Sequence, residues 1–252
     1  MRQSSMLVLA AFAAAVFVLP ANARSEGRVS VGPVLWREDT NLQVTRATNF
    51  DGSNDTSDQQ EKDWDVLGSG AGVRVGYDFA RLFSLHGEVG VTQATVRDKD
   101  VVDPNQDIGS LGLNDGVYYS VGARVGDNFS GSGNYFWRIG GALSGLSTAL
   151  DEDITTSWDY DETRFSFDGR LGVWTRNVGV FGGLRFVQSS ADLRETDRSN
   201  LPGFQTRKIE LEREGNVDFL LGAQTRGPDV AGFAEIGIGG TFSAAAGMTV
   251  GF

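Results

Sequence analysis

The chain ends Gly247-Met248-Thr249-Val250-Gly251-Phe252, and the reading of this stretch decides the fold. Apolar side chains recur at every second position, at Met248, Val250 and Phe252. That is the period of a β-strand with one apolar face. The strand runs to the carboxyl terminus and stops on an aromatic residue, where the end of a soluble domain is ordinarily a ragged polar tail.

Working back from this strand, the same period recurs in nine earlier segments. They are 29–36, 73–79, 83–91, 117–125, 135–143, 165–173, 178–186, 217–223 and 230–238, and 244–252 is the tenth. The connections alternate in length. Residues 80–81, 127–133, 175–177 and 227–229 are short turns, whereas 37–63, 97–116, 151–163 and 190–215 are long. Gly240 to Ser243 would be a fifth, short connection on the long-loop side. Short turns on one side and long loops on the other describe a transmembrane antiparallel up-and-down β-barrel. Ten strands are expected, or eight if the first or last hairpin is misread.

Sorting each segment by parity separates two faces. One is apolar throughout, with Val73, Tyr77, Leu85, Val91, Val121, Ile139, Phe167, Leu171, Leu184, Phe219 and Leu221 among its members. A lipid-facing wall requires this, because Arg or Lys at the bilayer midplane costs roughly 2–4 kcal/mol. Aromatics beside the short turns (Tyr77, Phe79, Phe83, Tyr135, Trp137) suit an interfacial girdle. The other face carries Arg74, Asp78, His86, Glu88, Arg124, Arg138, Asp168, Arg170, Arg185, Asp218 and Glu235. In a soluble β-sandwich this second face would be wet, and lysine would be common there. Here every cation on it is arginine, the side chain suited to bidentate pairing in confined space. The expectation is a lumen filled by ion pairs, with Arg74, Arg124, Arg138, Arg170 and Arg185 each in reach of an inward carboxylate. Inward glycines such as Gly76, Gly122 and Gly172 leave room for a narrow water path.

The amino terminus has Arg2, an apolar run from Leu7 to Leu19, and Pro20-Ala21-Asn22-Ala23. This is the pattern of a secretory signal peptide over 1–23, and the run is too short for a helical span. Residues 24–252 then form one barrel domain. The chain has no cysteine, so neither disulfides nor thiolate metal sites hold it. Its formal charge is −11, and the four long spans together hold 24 acidic and 10 basic residues. The acid is therefore expected on the outer rim. An acidic chain of this kind is a poor partner for nucleic acid.

The only histidine, His86, stands near a short turn. Ser84, His86 and Glu88 share a strand face, but neighbours two apart lie roughly 6–7 Å from one another, too far for a direct relay. His86 reads as one member of the lumen network, and no catalytic residue and no cofactor is expected. Asp151-Glu152-Asp153 and Asp159-Tyr160-Asp161-Glu162 lack the glycine-punctuated spacing of a calcium loop and read as a solvated rim, with no metal assigned. Lys208 to Glu214 alternates, continues the parity of the eighth strand, and suggests a hairpin rising above the membrane and turning near 199–203.

Taken together, the signal peptide, the strand plan and the terminal signature resemble the small outer-membrane β-barrel proteins of Gram-negative bacteria, of the opacity-protein and surface-antigen kind. In that family the last strand is a signal for the barrel-insertion machinery. Gly247, Val250 and Phe252 match it, while Ala245 replaces the usual polar residue. The resemblance implies outer-membrane residence and assembly by the barrel-insertion machinery; outer-membrane lipid, lipopolysaccharide and an extracellular ligand or host surface are the expected partners, and a monomer is expected. It carries no active-site motif. The leading expectation is a non-enzymatic surface or envelope protein. The alternatives are a narrow porin-like channel and, further behind, a lipid- or peptide-modifying enzyme.

Overall fold

A computed structural model describes residues 27–48, 54–55, 63–80, 82–98, 111–129, 134–151, 156–198, 205–225 and 230–252. The signal peptide, the 199–203 turn and the acids of 152–153 lie outside them. Ten long strands are present among the described residues. They are β1 (Arg28–Thr48), β2 (Asp63–Ala80), β3 (Phe83–Asp98), β4 (Leu111–Asn128), β5 (Tyr135–Asp151), β6 (Thr156–Thr175), β7 (Val178–Asp197), β8 (Gln205–Thr225), β9 (Val230–Ile238) and β10 (Thr241–Gly251). A two-residue segment, Asn54–Asp55, adds to the outer end of β1.

Each strand pairs antiparallel with its neighbour, and β10 pairs with β1 from Ser30↔Gly251 to Thr40↔Thr241. The Phe252 amide donates to the Val29 carbonyl at 2.9 Å, so the terminal strand closes the ring on the first. Gly247 is needed there, because a Cβ would sit 2.9 Å from the Pro33 carbonyl oxygen. The turn between β6 and β7 is tight, with Arg176 at φ 59°.

A bilayer is crossed by about 9–11 strand residues tilted near 45°. β9 and β10, with 9 and 11 residues, are just long enough, and the other eight run 16–21. The excess rises beyond the membrane as an extension of the same wall. Above the short β9–β10 hairpin, β1 leaves β10 and pairs directly with β8, from Gln43↔Glu212 to Thr48↔Lys208. The ring therefore narrows from ten strands to eight.

Much of what reads as long loop in the sequence is this extension. Residues 37–48, 111–116, 156–163, 190–197 and 205–215 are strand, which corrects the loop assignment of 37–63, 97–116, 151–163 and 190–215. The fifth outer connection is the two-residue turn Gly239-Gly240, and Ser243 belongs to β10. The acids and the loss of an outward apolar face concealed these strands. Their polarity is reversed, as β6 shows. Near the membrane Phe165, Phe167 and Leu171 are exposed while Asp168 and Arg170 are buried; farther out Trp158 and Tyr160 are buried and Asp159 is exposed. Lipid requires apolar groups outside, water requires them inside, and the strand crosses from one solvent to the other.

In β8 the switch is helped by a bulge. The register with β7 shifts between Val187 and Ser189, so Val187 faces Asn216 and Ser189 faces Arg213. Ile209, Leu211 and Arg213 consequently turn inward although they share odd parity with the outward Val217, Phe219 and Leu221. The expected continuity of parity into 208–214 fails for this reason.

An eight-stranded ring is only wide enough for side chains to fill it. The extension is filled by Leu42, Val44, Trp64, Val66, Val96, Leu113, Trp158, Tyr160, Leu193, Ile209 and Leu211, with neighbours, in one buried cluster. The membrane wall carries Leu85, Val91, Val121, Ile139, Leu171, Leu184, Phe219 and Leu221, all exposed. At its inner edge Phe79 packs between Tyr77 and Phe83, with ring centroids 4.4 and 5.5 Å away.

The two media make a prediction for one strand face. Leu221→Arg, on the outward face of β8 within the belt, is expected to lose about 2–4 kcal/mol. Glu212→Arg, also outward on β8 but above the belt, should stay within about 0.5 kcal/mol. Urea unfolding in lipid vesicles measures both, and equal losses would contradict the placement of the belt.

Candidate functional site

All eleven residues assigned to the lumen lie on the inward face, but they do not pair as a uniform set. Arg74 donates from Nε to Glu88 Oε1 at 2.5 Å and lies over the Phe233 ring, 4.1 Å from its centroid. Arg170 bridges Asp168 Oδ2 at 2.5 Å and Glu235 Oε2 at 2.6 Å. Arg185 stands 3.6 Å from Asp218 and 3.8 Å from Glu235, and donates to the Ser243 hydroxyl. These three arginines meet the expectation of a nearby carboxylate. Arg138 does not, because it donates to the Gln224 side-chain oxygen instead. Arg124 does not either: among the described residues its buried Nε has no hydrogen-bond partner. Asp168 and Glu235, the carboxylates that act on Arg124, already serve Arg170, while Arg138 feels Asp78 without bonding to it. Asp78 faces inward opposite Arg28 on β1, at the exposed inner mouth.

The network extends further out than the sequence reading placed it. Arg164 on β6 pairs with Glu38 of β1 and with Glu162 at 2.7 Å. Tyr160 donates its hydroxyl to Glu162 Oε2 at 3.1 Å, tying the charged layer to the apolar cluster above. Arg213 lies 3.3 Å from Asp218, which is fully buried. Tyr118 donates to Glu88 Oε2 at 3.4 Å and packs its ring against Trp36. Glu38, Glu162, Arg164 and Arg213 were missed because three of them fall in spans read as loop, and Arg164 borders the span that holds Glu162. The signal was available: the inward parity of Asp168 and Arg170, carried back two residues at a time, reaches Arg164, Glu162 and Tyr160. It also corrects the view that the acid belongs wholly to the rim, since Glu38 and Glu162 point into the barrel.

The lumen is thus built in layers. The apolar cluster fills the outer end, charged pairs fill the middle, and Phe136, Trp174 and Phe181 form a buried aromatic group nearer the turns. Trp174 Nε1 is fixed by the Asn128 side chain at 3.2 Å. Between the layers lies a cavity of about 160 Å³ lined by Trp36, Arg74, His86, Arg124, Arg170 and Arg185 among others. His86 is an inward member of this cavity wall, and Gly122 leaves it room, since a Cβ there would meet His86 Nε2 at 2.6 Å. Glu88, its neighbour on β3, is bound to Arg74.

On the outer surface of the extension, Asp192 holds Arg194 at 3.1 Å and Lys208 at 3.0 Å, and Lys208 also reaches Glu210 at 2.7 Å. Asp161 accepts from the Ser147 hydroxyl at 2.6 Å. Such exposed pairs contribute about 0–1 kcal/mol each and chiefly set a polar, mostly acidic surface. Among the described residues no group of three or more acidic or histidine side chains is arranged to hold a metal ion.

A closed antiparallel ring with an apolar outer belt and a polar, packed lumen defines a transmembrane β-barrel. Solved structures agree with that class. The outer membrane protease OmpT from Escherichia coli superposes with a TM-score of 0.53 at 8% identity, covering 90% of this chain and 96% of that one. The outer membrane protein OprG from Pseudomonas aeruginosa gives 0.50 at 11% identity over the same shares. No protein-family model and no curated protein sequence matches the chain. At these identities the likeness is one of fold, and the fold is that of the bacterial outer-membrane barrels.

Proposed function

We propose that this chain is an integral outer-membrane protein that neither conducts nor catalyses, and that acts in surface interaction or envelope integrity through its acidic outer rim. The observation that carries the reading is the buried cluster around Leu42, Trp158, Tyr160 and Leu211, which occupies the outer end of the lumen. A channel needs a continuous wet path, and close-packed apolar side chains leave none at that level. The extension carries Asp159 and Glu212 exposed on its outer face beyond the membrane belt, where surface groups meet partners. Lipopolysaccharide and its bridging cations, and an extracellular or host surface, are the partners that fit. Gly247, Val250 and Phe252 serve as the signal read by the barrel-insertion machinery, after export by a cleaved signal peptide. His86, inside the wall, has the role of a lumen residue and not of a nucleophile's base.

Planar-bilayer recording on the refolded barrel tests this. No discrete single-channel openings are expected at any applied voltage. Stable conductance steps in pure protein would overturn the reading in favour of a porin-like channel.

A further inference from the structure

We propose that the lumen binds one small monovalent anion, of the halide class, against the guanidinium of Arg124. Arg124, on β4, lines the central cavity of about 160 Å³, and its Nε is buried with no hydrogen-bond partner among the described residues. The cavity wall holds as many inward carboxylates as inward arginines, but they are unevenly allotted. Glu38 and Glu162 both converge on Arg164, Asp168 and Glu235 both on Arg170, and Glu88 is taken by Arg74. Arg185 shares Glu235 and draws on Asp218. Asp168 and Glu235 act on Arg124 as well, but their hydrogen bonds go to Arg170, so the buried Arg124 Nε is left with no acceptor among the described residues, and a buried donor in that condition is costly.

The other unmet groups of this cavity point the same way. Trp36 Nε1, Arg124 Nε, Arg164 Nε and Arg185 Nε are all donors, so acceptors are what the wall lacks. Water offers acceptors but also brings hydrogens that need acceptors of their own, whereas a halide only accepts, which is what a wall of unmet donors calls for. The space beside Arg124 is kept open by glycine: a Cβ at Gly140 would stand 3.2 Å from Asp168 Oδ1 and 3.5 Å from Arg124 Nε, and one at Gly122 would crowd His86, so the anion would sit on the Arg124 side, away from the Asp168 carboxylate. A cavity of this size has room for a halide with a few waters, each of which takes about 30 Å³ in the liquid.

Bromide is the probe. Crystals of the refolded chain from residue 24 onward, grown in bromide, would be measured at the bromine absorption edge. One anomalous peak is expected at hydrogen-bonding distance from the Arg124 guanidinium, and none at that place in Arg124→Gln. Wild-type density that is water alone, with no anomalous peak beside Arg124, overturns the proposal, and so does a peak that survives in Arg124→Gln. Should Arg124→Gln fail to refold, the wild-type map decides by itself. In solution, replacing gluconate by bromide at constant ionic strength should raise the thermal midpoint of the wild type; an unchanged midpoint counts against the site.

Discussion

Asp218→Ala is expected to lose about 3–5 kcal/mol of folding stability, the cost of removing one partner from a buried ion pair. Asp218 is fully buried on β8, 3.6 Å from Arg185 and 3.3 Å from Arg213. Taking away its carboxylate leaves two inward guanidiniums facing each other's field. Arg185 retains Glu235 at 3.8 Å, but Arg213 is almost wholly buried and keeps no carboxylate among the ion pairs described above. Asp218→Asn preserves an acceptor while removing the charge, so its loss should fall between wild type and Asp218→Ala. Urea unfolding in lipid vesicles, followed by tryptophan fluorescence, measures the series. A loss below about 1 kcal/mol for Asp218→Ala, the range of an exposed pair, would show that Asp218 faces water.

The second large effect belongs to the plug. Leu211→Ala is expected to lose about 2–5 kcal/mol, the range for deleting a buried leucine side chain. Leu211 is fully buried, sits in register with Val44 on β1 and Ala191 on β7, and belongs to the cluster that fills the eight-stranded extension. The comparison is informative because Leu211 would be an ordinary loop residue if the barrel ended at the membrane surface. A substitution there would then cost within about 0.5 kcal/mol, as surface changes usually do. Denaturant unfolding of Leu211→Ala separates these two outcomes.

The barrel itself was legible because its wall repeats one simple demand. Segments such as Phe83 to Val91 or Phe165 to Val173 place an apolar group outward at alternate positions and carry no charge there. The ring closure was legible too, through the terminal strand, and its register from Ser30↔Gly251 to Thr40↔Thr241 agrees with the expected partner around Val29 to Leu35. The extension was not. Trp158-Asp159-Tyr160-Asp161 alternates as plainly as any wall strand, yet its apolar members point the opposite way, and its acids suggested a solvated loop. The bulge in β8 compounded this, because parity cannot be carried across an inserted residue. The lumen was half legible. Parity identified which side chains face inward, but pairing depends on which strand stands opposite at which height. Arg138 meeting Gln224, 86 residues away, is set by register around the ring and not by local sequence.

The central claim is that one continuous wall reverses its polarity where it leaves the membrane. The absence of cysteine permits single-site spin labelling without background. Labels at Glu212, Val217, Phe219 and Leu221 would sample the outward face of β8, and their collision rates with oxygen and with a water-soluble nickel complex report the surrounding medium. The structure predicts nickel accessibility at Glu212, oxygen accessibility at Phe219 and Leu221, and the crossover near Val217. Water-like accessibility at Phe219 and Leu221, or lipid-like accessibility at Glu212, would contradict it.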